Sequence, residues 1–500
     1  MILILIVLTL FTISKGSLVN VDPKTNLFID SQNRIRLFHG VNAVYKLPPF
    51  HPSVGPFDPN HSLGPTDIEN LYEWGFNAVR LGVEWVGWEP KENQFDSKYA
   101  ATMKQIVDSL AKKGIYSIVD FHQDVGNRKF CGEGFPDWVV QYPQKYDKHA
   151  FPFPVADPFP VNQSTFYPDL KTCLERNFAL YYFSEAVATT FQQLYDNTFN
   201  FQTALIRFWE SVAHTFAKQD FVLGYELINE PPGGNFFENP LLLTREADKI
   251  NLQPMYDNIA AAIRKIDNNH NIFFEKSVTN AVETAGFTHG PGGDSFRDKN
   301  VYSYHDYCLP TGKTTNVPLC DATNSYFYTL DLESVRRLGG GGFMTEFGAA
   351  ANTTSLMEAL SWQLTLADKE FQSWTYWQYK SYDDITTSGG YDESFYDAHG
   401  NLQLNKAQTL SRSFAPAIAG TPKSMSFDRK TKLFTLTYAF NPLTTGPTEI
   451  YINEAYHYSK GFVVSIMPPN VASWKRVEKN RIAVFHKAKF TELTIVIKAK

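Results

Sequence analysis

The chain has 500 residues, long for one domain, and carries enough apolar side chains for a large core. Its formal net charge of -6 is mild and no long run of like charge occurs, so nothing points to nucleic acid or to an anionic membrane surface. The 40 Phe, 26 Tyr and 9 Trp suit sugar rings and lipid tails alike, but aromatics fill cores first, and their number alone decides nothing.

Residues 1–16 are almost purely apolar and far too few to span a membrane. With small residues at Ser14 and Gly16 they read as a signal peptide cleaved near Gly16–Ser17, although a basic start is missing apart from the terminal amine. The expected location is therefore secreted or lumenal, where the four cysteines can oxidise. Three pairings are formally open; each of two loops is bracketed by two cysteines, which favours Cys131–Cys173 and Cys308–Cys320. Glycosylation sequons at Asn60, Asn162 and Asn352 sit in polar or Pro-rich surroundings and agree with the secretory route.

In chain order, a first strand is predicted over 37–42, followed by Lys46 in a Pro-rich loop and a helix over 66–74 that Gly75 ends. A second strand over 77–81 carries Arg80 near its end. Asp96 or Ser97 can cap a helix whose Met103, Ile106, Val107 and Leu110 recur at helical spacing until Gly114. The third strand, 115–121, exits through His122-Gln123-Asp124. Next comes a long Pro-, Phe- and Gly-rich interruption over 125–176, whose aromatics and two cysteines favour an ordered lid.

Residues 178–218 are largely helical in pattern. An apolar fourth strand over 222–229 ends at Asn229-Glu230-Pro231, where the Pro-Pro-Gly-Gly run stops the ladder. An amphipathic helix over 252–266 leads to a fifth strand, 271–275, and a sixth strand, 301–304, ends in His305-Asp306-Tyr307. A helix over 332–338 precedes the seventh strand, 342–345, which delivers Glu346, with Gly348 allowing a tight exit. A helix over 354–368 precedes the eighth strand, 373–379, which contains Trp377.

Strands alternating with helices, and polar groups gathered at strand exits, predict a (β/α)₈ barrel over 17–415. Beyond it the period changes to two: Phe434, Leu436, Tyr438 and Phe440 alternate with small or polar neighbours, as do Leu493, Ile495 and Ile497. That pattern predicts an antiparallel β-sandwich over 416–500.

Two carboxylates at strand ends of one barrel face can cleave a glycosidic bond, one protonating the leaving oxygen while the other attacks the anomeric carbon or activates water. Glu230 and Glu346 are those two. With Arg80, His122, Asn229, His305, Tyr307 and Trp377 at other strand ends, they resemble the retaining glycosidases of glycoside hydrolase family 5 over roughly residues 20–415. The 42–46 run Asn-Ala-Val-Tyr-Lys, the His122-Gln123-Asp124 exit, the Tyr-His-Asp-Tyr-Cys run ending at Cys308 and the β-sandwich are most similar to the endoglycoceramidase group of that family.

The resemblance implies Glu230 as acid/base, Glu346 as nucleophile, and Lys46 and Asp124 as glucose contacts. Beside them Arg80 is expected to hold Glu346 ionised, with His305 and Tyr307 hydrogen-bonded to it. Asn229 is expected on the sugar 2-hydroxyl, His122 on another hydroxyl, and Trp377 under the ring. Phe130, Phe135, Trp138, Phe151, Phe153 and Phe159 in the third loop, and Phe236, Phe237, Leu241, Leu242 and Leu243 after the fourth strand, are candidates for an apolar rim suited to ceramide. The alternative is that they pack the loops onto the barrel.

No cofactor is expected. His122, Asp124 and His305 lack a tight metal-ligand spacing, and the two-carboxylate mechanism needs no metal. The expected partner is a glycosphingolipid, met in transient contact with a membrane surface by a monomer. Competing readings are a glucosylceramidase or sterylglucosidase, an endo-β-glucanase, and a non-catalytic glycolipid binder.

Overall fold

A computed structural model of the chain describes residues 18–142, 148–280, 282–308, 317–386, 390–487 and 492–500. The apolar leader at 1–16 lies outside the described residues.

Eight parallel strands close into a barrel: β1 (His39–Ala43), β2 (Ala78–Gly82), β3 (Tyr116–Asp120), β4 (Val222–Glu226), β5 (Asn271–Glu275), β6 (Asn300–Asp306), β7 (Gly341–Phe347) and β8 (Ser373–Tyr376). Each pairs with the next, and β8 returns to β1. Almost every strand residue is buried because helices cover the outside while side chains fill the inside, and this is why the strands read as near-continuous apolar runs. The helix Ser97–Ala111 starts where expected: Asp96 accepts from the Lys98 and Tyr99 amides.

Several elements differ from the sequence reading; the eighth strand, expected over 373–379, ends at Tyr376 and leaves Trp377 just beyond it. The helix expected over 332–338 runs from Val317 to Leu338; its first half carries polar and small residues that hide the apolar period. The helical 178–218 stretch is a 3₁₀ segment, Phe178–Phe183, and two helices, Glu185–Tyr195 and Phe201–Phe216. Asn197, Phe199 and Asn200 separate the helices with φ of 55°, 55° and 62°. The fourth strand is shorter than expected, ending at Glu226, although the Leu227 amide still donates to Phe273 and that of Asn229 to Phe121.

The N-terminal residues, assigned by sequence to the barrel domain, are shared. Val19–Asp22 and Leu27–Asp30 form a hairpin whose Val19, Val21 and Phe28 pack against Phe38, Ile118, Leu223, Phe273 and Phe343, closing the end of the barrel where the strands begin. Through Ile35–Arg36 the same hairpin joins a seven-stranded sheet with strands of the C-terminal half. A four-stranded sheet formed by Gly420–Asp428, Leu433–Phe440, Leu493–Ala499 and Phe462–Met467 packs on it, and Met425, Phe434, Leu436, Ile482 and Ile495 contribute to the shared core. This is the expected sandwich, extended by N-terminal strands that no period-two run announced.

Both expected disulfides form: Cys131–Cys173 pins the long insertion after β3, and Cys308–Cys320 ties the exit of β6 to the next helix. Aromatic packing holds the described residues of the insertion. Phe130, Phe135 and Phe151 are buried, and Trp138 lies edge-on to Trp85 with centroids 5.9 Å apart.

Candidate active site

The strand ends bring Glu230 and Glu346 together. Glu346 stands on β7 after a register shift against β6, and Gly348 turns the chain away immediately with φ of 103°. No other residue fits there without strain, since a Cβ on Gly348 would fall 2.3 Å from the Tyr376 ring. Glu230 follows β4 on a turn with φ of 38°, an uncommon conformation for a residue with a side chain. Gln123 secures this turn by donating to the Asn229 carbonyl at 2.6 Å and the Glu230 carbonyl at 3.2 Å. The nearest oxygens of Glu230 and Glu346 lie within 4.8 Å of each other.

Glu346 is held from two sides. Arg80 Nη1 donates to Oε1 at 2.5 Å, and the Tyr307 hydroxyl donates to Oε2 at 2.7 Å. Arg80 is wholly buried and also reaches Glu226, Asn42 at 3.1 Å, Asn229 at 2.9 Å and Asp120 at 3.2 Å. Burial works against its charge, but Asp120, Glu226 and Glu346 outweigh it and raise its pKa well above the ordinary value. Burial and the facing Glu346 raise the Tyr307 hydroxyl too, keeping it protonated and able to donate.

His305 takes a different place from the one expected. Its close contact is Glu230, with Nδ1 2.7 Å from Oε1, whereas Glu346 Oε2 is 3.5 Å away. Asn229 is nearly inaccessible: Oδ1 accepts from Arg80 and Nδ2 donates to the Gln123 carbonyl at 3.0 Å, which leaves one amide proton for a substrate.

Lys46 and Asp124 also meet, at 2.5 Å, inside an ionic cage that sequence reasoning missed. Asp384 lies 3.0 Å and Glu133 3.4 Å from the Lys46 ammonium, and Thr386 accepts from it at 2.8 Å. Burial pushes the Asp124 carboxyl up, but Lys46 and His122 win and hold it well below the carboxylate range. His122 Nδ1 donates to the Asp120 carboxylate at 2.8 Å and the ring stacks on Trp377 with centroids 5.2 Å apart, while Lys46 lies 4.9 Å from that ring's centroid. All the site residues expected from sequence therefore converge on one face. Glu133 and Asp384 were missed because they stand in loops away from any motif; Glu226 and Glu275 lie in the predicted fourth and fifth strands, and the strand-end position of Glu275 was a signal that could have found it.

The apolar rim is smaller than expected. Phe130, Phe135, Phe151 and Leu242 are core residues, and Phe153, Phe159 and Trp138 are partly covered. Phe237, Leu241 and Leu243 on the loop after Glu230 remain 43%, 56% and 39% exposed. Phe183, 46% exposed, joins them through Phe236, with centroids 6.1 Å apart.

A pair of carboxylates facing across strand ends, one clamped by Arg and Tyr, defines a two-carboxylate glycosidase on a (β/α)₈ barrel. Residues 60–383 match the cellulase model of glycosyl hydrolase family 5, and residues 412–497 match the family 5 C-terminal domain. The chain belongs to glycoside hydrolase family 5. It is 38% identical over 482 residues to an endoglycoceramidase of Cyanea nozakii, covering 96% of this chain and 93% of that protein. It is also 38% identical over 470 residues to one of Hydra vulgaris, covering 93% and 87%. Endo-glycoceramidase II from Rhodococcus sp., in a ganglioside GM3 complex, superposes with a TM-score of 0.75 at 21% identity, over 94% of this chain and 99% of that one.

Proposed function

We propose that the protein is a retaining endo-β-glycosidase that hydrolyses the bond between oligosaccharide and ceramide in glycosphingolipids, releasing intact glycan and ceramide. The observation that carries the mechanism is the Glu230–Glu346 pair, whose nearest oxygens lie within 4.8 Å of each other, close enough for the ~5–5.5 Å carboxyl separation of retaining enzymes. Glu346 attacks the anomeric carbon and forms a glycosyl ester while Glu230 protonates the leaving ceramide oxygen. Glu230 then takes a proton from water as the ester is hydrolysed. Arg80 and Tyr307 hold the nucleophile from two sides and aim it.

The lipid half of the reading rests on relatives named endoglycoceramidase at 38% identity across nearly the whole chain. The exposed Phe237, Leu241 and Leu243 support it, lying on the loop that leaves Glu230, the side from which the aglycone departs. The roles of Lys46, Asp124, His122 and Trp377 in gripping the first sugar belong to the same proposal, supported by their convergence on one slot wall. Secretion, glycosylation, a monomeric state and transient membrane contact are part of it too. Exposed Asn162 and Asn352 are better acceptors than Asn60, whose Ser62 is buried against Asp67.

The test is product analysis by mass spectrometry after incubation with ganglioside, lactosylceramide, glucosylceramide and a β-glucan. Intact oligosaccharide plus ceramide is the expected result. Glucose from glucosylceramide alone would move the assignment to a glucosylceramidase, and cleavage of the glucan alone would remove the lipid reading.

A further inference from the structure

His305 stands between carboxylates at two depths of the barrel. Its Nδ1 faces Glu230 Oε1 at 2.7 Å, and its Nε2 faces Glu275 Oε1, 3.6 Å away on the last residue of β5. Glu275 is level with Ser303, one layer deeper than His305. Neither His305 Nε2 nor Glu275 Oε1 has a hydrogen-bond partner among the described residues, and both are shielded from solvent. Leaving two such atoms unpaired carries the full desolvation cost of each, whereas a small rotation closes the 3.6 Å gap between them.

We infer that Glu275 is a positioning residue for the acid/base step: it occupies Nε2 of His305, so that the imidazole always presents an N–H at Nδ1 to Glu230. The inference rests on the glycosidase reading of Glu230. Glu226 lies in the same cluster, within 4.8 Å, but Glu275 is the carboxylate that faces Nε2 at 3.6 Å. The groups facing His305 are Glu230 beyond β4, Glu226 on β4, Glu275 on β5 and Glu346 on β7, with Tyr307 beside it, Asp331 of the helix Val317–Leu338 farther out and Arg80 of β2 behind Glu275 at 3.8 Å.

Burial opposes a charge on His305, but Glu275, Glu346 and Glu230 prevail and lift it to about 10. Burial and the neighbouring Glu226 push the Glu275 carboxyl up as well, against the pull of His305. The pair therefore holds a proton firmly. If His305 carries it, Nε2–H donates to the Glu275 carboxylate; if Glu275 carries it, the carboxyl O–H donates to Nε2. In both states the remaining ring hydrogen is on Nδ1 and supports Glu230 Oε1 as negative charge develops there, leaving Oε2 to carry the transferred proton. A carboxylate that fixes a histidine tautomer in this way acts through orientation.

The experiment compares the parent with Glu275→Leu, which removes the partner, and Glu275→Gln, which keeps one. The imidazole of His305 is titrated by NMR, assigned with His305→Gln, and kcat and KM are measured against pH on lactosylceramide, whose leaving group needs the acid. Expected for Glu275→Leu are a His305 titration lowered by about one unit or more and a basic limb of the rate profile moved to lower pH. A kcat loss of about 10- to 100-fold at little-changed KM should accompany them, partly restored in Glu275→Gln. A parent-like His305 titration in Glu275→Leu would overturn the inference, whatever the stability of the variant. The NMR arm needs no turnover, so an inactive parent would count against the glycosidase reading while the titration still decides the role of Glu275.

Discussion

Arg80→Met removes one guanidinium from the centre of the site and leaves a side chain of similar length. In the parent, Arg80 ties Glu346 at 2.5 Å and Asp120 at 3.2 Å, and also bonds Glu226, all without solvent. Breaking a buried ionic network by deleting one partner costs about 3–5 kcal/mol. At the usual unfolding entropy per residue, a chain of this length loses about 1 °C of Tm per kcal/mol, so Tm should fall by about 3–5 °C at neutral pH. The pH dependence gives the sharper check. Glu226 is already held above its ordinary value by burial, with Arg80 pulling the other way. Without Arg80, the folded state binds protons more tightly than the unfolded one, so the deficit should be smallest near pH 4 and grow as pH rises. Thermal denaturation followed by circular dichroism across pH 4–8 measures this. A Tm within about 1 °C of the parent at every pH, or a loss independent of pH, would refute the account of Arg80 as the counter-charge of the buried carboxylates.

Other expectations follow from the same geometry. Glu230→Ala should lower kcat/KM on glycolipid by about 10²- to 10⁴-fold, with a much smaller loss on an aryl glycoside whose leaving group needs no protonation; steady-state kinetics on both substrates decide. Gly348→Ala should cost about 1–3 kcal/mol in a denaturant titration and impair turnover, because the residue sits at φ of 103° against the Tyr376 ring. Removing Cys131–Cys173, which closes 42 residues of chain, should cost about 2–4 kcal/mol and make the 131–173 insertion the first segment cut in limited proteolysis.

Much of the barrel was legible because parallel strands covered on both faces are apolar throughout, and their exits are marked by Gly, Pro and sudden polarity, as at Asn229-Glu230-Pro231. The two carboxylates, Arg80 and Tyr307 were legible for the same reason. Contacts that cross the barrel were not. Nothing local says that His305 turns to Glu230 and Glu275, or that Lys46 draws in Glu133 and Asp384, since these pairs are set by closure of the strands. The N-terminal hairpin was missed because its strands of four residues are too short for a periodic signal. Phe130, Phe135 and Phe151 looked like candidate rim residues, but composition cannot say which ring of a long insertion faces inward.

The central claim is that Glu346 carries the glycan covalently while Glu230 handles the proton. The most direct measurement is to incubate the protein with an activated 2-deoxy-2-fluoro-lactoside, which slows hydrolysis of the ester, and to digest and map the labelled peptide by mass spectrometry. We expect one fluorolactosyl group per chain on Glu346, absent in Glu346→Gln. A label on Glu230, or turnover with inversion and no labelled peptide, would contradict it.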